Sequence, residues 1–74
     1  MFVKYKDLDN DSNVNLYEIG DTYIRIVFFN TKRIYTYSYE VAGREHVENM
    51  KELAIRGDGL NAYIQNNCRY LYDR

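Results

Sequence analysis

The chain has little of what small domains use to staple themselves together or to do chemistry. Its 74 residues include one cysteine, Cys68, so neither an internal disulfide nor a zinc cage can form. The one histidine, His46, falls in the first turns of a polar helix with no serine or cysteine nucleophile assigned beside it, and reads as a surface residue. Four scattered glycines cannot be assembled into a phosphate-cradling loop. A net charge of -1 supplies no overall field to attract nucleic acid or an acidic membrane. No apolar run approaches the roughly 20 residues of a membrane span, and the N-terminus carries no secretion signal. A chain this short buries only roughly 60–65% of its unfolded surface, which leaves no room for both a scaffold and an elaborate catalytic cleft. These absences predict one soluble, cytoplasmic domain over residues 1–74 that binds and does not catalyse, with no cofactor and no metal. Oligomerisation is the staple that remains.

What the chain does have is aromatic side chains: nine tyrosines and three phenylalanines, with no tryptophan and no proline. The polar run Asp7 to Asn13 reads as a loop, because Asx and Ser side chains compete with regular backbone pairing. Val14 to Ile19 then suits a short strand, and Gly20-Asp21 a turn. Thr22 to Phe29 is the strongest strand in the sequence, rich in β-branched and aromatic residues. Its alternation assigns Ile24, Ile26 and Phe28 to the core and Tyr23, Arg25, Val27 and Phe29 to the other face. A third strand, Arg33 to Tyr39, alternates Tyr35, Tyr37 and Tyr39 against Ile34, Thr36 and Ser38. From Arg44 to Arg56, Val47, Met50, Leu53 and Ala54 recur at helical spacing, with Gly57 placed to end the helix. Asp58 can cap a second helix, in which Leu60, Tyr63, Ile64 and Cys68 form one stripe. The expectation is an α+β domain: a three-stranded antiparallel meander followed by two helices that cover one face of the sheet.

Asp7, Asp9, Asp11, Asn13 and Glu18 reproduce the ligand spacing of a calcium-binding EF-hand loop. Two physical objections outweigh the match. Loop position six needs a residue that tolerates positive φ, and Ser12 stands there. The motif also needs an entering helix, for which six preceding residues are too few. We therefore read this segment as a solvated acidic turn.

Ser12-Asn13-Val14, the strand Ile24 to Phe29, Ile34-Tyr35-Thr36-Tyr37, Gly59 to Ile64 and the closing Arg69-Tyr70-Leu71-Tyr72 come in an order that resembles the KTSC domain. That family is appended to some lysyl-tRNA synthetases and also occurs as small free-standing bacterial and phage proteins. The resemblance covers residues 12 to 74; its marks are Tyr35 and Tyr37 in a central Tyr-x-Tyr and Asn61 at the start of the second helix. The family's hairpin glycines are replaced by Thr31 and Lys32, and its Val-Pro before the helix by Val41-Ala42. The resemblance implies nucleotide or nucleic-acid binding in preference to an enzyme. Among phage members it implies counter-defence (anti-CBASS) sponges that bind cyclic dinucleotide immune signals as homo-oligomers in the host cytoplasm.

Read from the residues themselves, the meaning of the tyrosines depends on hairpin parity. A two-residue Thr31-Lys32 loop pairs Phe28 with Tyr35 and Ile26 with Tyr37, which sends both tyrosines into the core. A three-residue loop, Asn30 to Lys32, sets Val27, Arg25 and Tyr23 opposite Tyr35, Tyr37 and Tyr39 on the far face. Thr-Lys is poorly suited to a two-residue hairpin, which favours the longer loop. The far face then presents Tyr23, Arg25, Tyr35, Tyr37 and Tyr39. Tyrosine and arginine stack on base faces and bond phosphate or base edges, and they are also enriched in protein interfaces. Lys32 and Arg33 read as a solvated turn that sits where it could meet a phosphate, and Arg69 and Arg74 are similarly placed at the tyrosine-rich tail. Asn61 is either a helix-start residue or part of the site. The candidate ligand-binding set is Tyr23, Arg25, Arg33, Tyr35, Tyr37, Tyr39, Asn61 and Arg69, for a small nucleotide ligand. The alternatives are an RNA-binding module, against which the neutral charge counts because phosphate contacts dominate RNA affinity, and a protein inhibitor acting through its aromatic face.

Overall fold

The computed structural model describes residues 1–8, 10 and 12–74. Asp9 and Asp11, two carboxylates of the calcium-like spacing, lie outside the described residues. Strands β1 (Val3–Lys4), β2 (Val14–Ile19), β3 (Tyr23–Phe28) and β4 (Ile34–Ser38) form one antiparallel sheet in the order β1-β2-β3-β4. Helix α1 (Arg44–Arg56) and helix α2 (Leu60–Tyr63) follow, and α2 runs on into a π-helical segment, Ile64–Cys68. The architecture is thus α+β as expected, with a fourth strand added to the meander. That strand pairs Val3 with Tyr17 and Lys4 with Leu16. Two residues are too few for an alternation to be read in sequence.

A bulge between Val14 and Leu16 adjusts β2 against β3. It leaves Val14 opposite Phe28 and Tyr17 opposite Ile26 on the inner face, and Glu18 opposite Arg25 on the outer one. Ile24, Ile26 and Phe28 are buried as the alternation predicts. The hairpin after them differs from expectation. Neither short loop forms; Ile24 pairs with Tyr37, Ile26 with Tyr35 and Val27 with Ile34. Tyr35 and Tyr37 therefore share the inner face with the isoleucines, and the far-face cluster expected from a three-residue loop does not exist. The longer connection has its own internal bonds: the Thr31 N–H donates to the Phe28 carbonyl (3.4 Å) and the Arg33 N–H to Thr31 Oγ1 (3.1 Å). One residue of loop length reverses every side chain of the following strand, so the error in the loop became an error in the face.

Helices cover the inner face. Val47, Met50 and Ala54 of α1 and Leu60, Ile64 and Cys68 beyond it are buried against the sheet, together with Tyr37. Gly57 ends α1 in the left-handed conformation (φ +80°), its N–H donating to the Leu53 carbonyl at 2.9 Å. A Cβ there would lie 2.7 Å from Lys6 Cβ, so this cap requires glycine on two counts. Asp58 does not cap α2. The cap position is Gly59 at φ +82°, with no side-chain cap bond, and the Leu60 N–H donates instead to Tyr5 Oη at 3.3 Å. The passage from α to π winding has a packing reason. Leu60, Ile64 and Cys68 are spaced by four; α winding carries that step past a full turn, and the wider π ring carries it less far. One step of each kind keeps all three aimed at the core.

The tail then turns back to the sheet. The Asp73 N–H donates to the Thr36 carbonyl at 2.7 Å, and Ser38 Oγ donates to Asp73 Oδ1 at 2.7 Å. The free edge of β4 is thereby partly covered. Among the described residues no helix is long and apolar enough to cross a membrane.

Candidate ligand pocket

Because Tyr35 and Tyr37 face inward beside the turn end of the β3-β4 hairpin, a cleft forms where that end meets the π-helical segment and the tail. It measures about 400 Å³, within the range of roughly 300–1,000 Å³ typical of small-molecule sites. Phe28, Tyr35, Tyr37 and Ile64 line it from the core. Gln65, Arg69, Tyr70 and Tyr72 line it from the helix and tail, and Asn13, Asn30 and Thr31 from the strand ends and turn. The rings meet edge to face: Phe28 with Tyr35 at 5.5 Å between centroids, Tyr35 with Tyr72 at 4.8 Å and Tyr37 with Tyr72 at 6.3 Å. Burial raises the Tyr37 hydroxyl well above the ordinary tyrosine value, so it stays protonated.

Guanidinium groups surround these rings. Arg33 lies 5.0 Å from the Tyr35 ring and 5.2 Å from that of Tyr72, Arg74 lies 5.1 Å from Tyr72, and Arg69 lies 5.4 Å from Tyr70. Arg25, Lys51 and Arg56, by contrast, are paired with Glu18, Glu48 and Glu52. Among the described residues Arg33, Arg69 and Arg74 have no carboxylate partner. Their charge is held against aromatic faces by cation–π attraction, and it remains available to an anion.

Of the eight residues singled out in sequence, Tyr35, Tyr37 and Arg69 line this pocket and Arg33 stacks on its rings. The others lie elsewhere. Tyr23 and Arg25 sit on the outer face, where the Arg25 guanidinium covers the Tyr23 ring at 4.6 Å and bonds Glu18 at 2.9 Å. Hydrogen bonds from the N-terminal ammonium and from Arg25 hold the Glu18 carboxyl below the usual carboxylate range. Tyr39 packs beside α1 and donates to Glu48 Oε2 at 2.5 Å, which raises the phenol and lowers the carboxyl. Asn61 lies in α2 off the pocket lining, and its buried Oδ1 has no hydrogen-bond partner among the described residues.

Sequence reasoning missed Phe28, Asn13, Asn30 and Tyr72 as members of the site. Tyr72 carried a legible signal, an aromatic residue two positions from Tyr70 in an arginine-flanked tail. Its position over Tyr35 depends on a return of the tail to β4 that no local pattern announces. Cys68 is fully buried, and burial raises its thiol, so it is held as the unreactive neutral form. His46 Nδ1 bonds Tyr63 Oη at 2.7 Å on the α1–α2 side, and neither residue lines the pocket.

Compared with protein-family models, with curated proteins and with solved structures, the chain matches none.

Proposed function

We propose that this chain is a non-enzymatic KTSC-type domain that sequesters a nucleotide-type ligand in a homo-oligomer, a cyclic dinucleotide immune signal being the most concrete version. One observation carries the reading: three guanidinium groups, without carboxylate partners among the described residues, gather around the rings of an open aromatic pocket. Stacking on such rings contributes roughly 1–3 kcal/mol per base, and charge-assisted bonds from guanidinium to phosphate add to it. The order of Tyr-x-Tyr, Asn61 and the Arg-Tyr tail along the chain supports the family assignment. The pocket is open to solvent, and a second copy covering it would exclude water from the ligand. A net charge of -1 favours a small anion over a long polyanion.

The test is thermal stabilisation of the purified protein across a panel of mono- and cyclic dinucleotides, with Tyr72→Ala and Arg69→Ala alongside. Stabilisation that is lost in both variants, with the ligand recovered intact after heat denaturation, supports the reading; degraded ligand would indicate an enzyme. Affinity that falls steeply with salt and rises with strand length would instead identify an RNA-binding module. No stabilisation by any nucleotide overturns the proposal.

A further inference from the structure

Two amides flank the pocket on its sheet side. Asn13 stands just before β2 and Asn30 in the connection after β3, 17 residues apart, and Asn13 Nδ2 donates to Asn30 Oδ1 at 3.0 Å. Both line the pocket beside the Phe28 and Tyr35 rings. A primary amide carries two donor hydrogens and an oxygen with two acceptor sites, so one bond uses a fraction of what the pair offers. The bond engages Asn13 through its NH₂ and Asn30 through its oxygen. What it leaves untouched is the Asn13 oxygen and the Asn30 NH₂, one acceptor and one donor on bonded neighbours. Exchanging O and N in both amides, which preserves the bond, leaves an acceptor and a donor again. The outcome is therefore independent of how the amides are oriented.

We infer that Asn13 and Asn30 read the edge of a base, so that the pocket selects a nucleobase carrying an adjacent donor and acceptor over a ring of the same shape that lacks one of them. This deepens the proposed function and rests on it. The physical basis is complementarity. Amide side chains recognise adenine by pairing their oxygen with the exocyclic N–H and their NH₂ with a ring nitrogen. Removing one member of such a set leaves a polar group of the site unpaired in the complex, which is how a polar site rejects an isosteric ring. Aromatic faces alone stack on any base and do not discriminate. The guanidinium of Arg69, without a carboxylate partner among the described residues, lines the pocket from the helix and tail, so a nucleotide can present its base edge to the amides and its phosphate to Arg69.

The experiment compares adenosine 5′-monophosphate with purine riboside 5′-monophosphate, which differs in lacking the 6-amino donor, by calorimetry or ligand-observed NMR. The wild-type protein is expected to prefer the adenine nucleotide by roughly tenfold. In Asn30→Ala, a change at an exposed turn, that ratio is expected to fall to about one; Asn13→Ala repeats the test from the strand side. Equal affinity of the wild-type protein for the two probes overturns the inference while leaving the nucleotide reading intact. A preference that survives in Asn30→Ala also overturns it. If neither probe binds, the inference is overturned, while the nucleotide reading is decided by the panel of mono- and cyclic dinucleotides; if Tyr72→Ala binds both probes as the wild-type protein does, the nucleotide reading of this pocket fails and the inference fails with it.

Discussion

Single side chains here are governed by what their polar ends meet. Tyr37 is buried among apolar groups, and its phenol is raised because desolvation penalises the phenolate. The unfolded chain ionises this tyrosine near the ordinary value of about 10, whereas the folded chain keeps the proton to higher pH. Above that value the unfolded state therefore binds fewer protons, and stability falls as pH rises. Tyr37→Phe is expected to flatten this alkaline decline in urea titrations run at a series of pH values above 10. At Glu48 the sign is opposite. Bonds from Tyr39 and then Lys51 depress its carboxyl, so its contribution is present above the ordinary carboxylate value and is lost as pH falls. Tyr39→Phe is expected to move the Glu48 titration upward when followed by carbon-detected NMR. The second effect was not legible in sequence, because Tyr39 follows β4 and Glu48 lies in α1, and the two meet only when α1 packs on the sheet.

Elements were largely legible where their signals are local. Helix α1 occupies Arg44–Arg56 and β2 Val14–Ile19, as spacing and alternation predict, because amphipathic periodicity and a glycine stop are properties of neighbouring residues. Gly57→Ala would place a Cβ against Lys6 and force a non-glycine residue into the left-handed region. It is expected to cost about 1–2 kcal/mol or more, read as a lower urea midpoint at unchanged slope. Asp58 misled because an Asx residue before an apolar run is a cap signal, and the glycine after it took the position instead. The hairpin misled for a related reason. Loop length decides facing, and the connection after Phe28 is stabilised by Asn13, Thr31 and backbone bonds that do not announce themselves in turn propensities.

For the whole molecule, the core is thin and shared. One layer of helices covers one face of a four-stranded sheet, and the same tyrosines that complete that layer also form the base of the pocket. Ile26, fully buried at the centre of β3, illustrates the consequence. Ile26→Ala is expected to cost about 2–5 kcal/mol, a large share of the 5–15 kcal/mol that holds a typical domain, and thermal unfolding will show it as a strongly lowered Tm. Ligand binding at a site built from core residues should raise Tm by mass action. If a second copy completes the site, sedimentation velocity should show the assembly strengthened by the ligand.

The sequence by itself determined the class of fold, three of the four strands and the first helix nearly to the residue, and the buried stripes, because each follows from composition or from spacing along a few turns of chain. Only the tertiary structure decided which way the hairpin tyrosines face, that Tyr23 and Arg25 stand apart from Tyr35 and Tyr37, and that the tail brings Tyr72 beneath Arg33. Those outcomes turn on one residue of loop length and on bonds between segments far apart in sequence, such as that from the Asp73 N–H to the Thr36 carbonyl. Parity and closure are settled by packing the whole chain, and no stretch of it holds them alone.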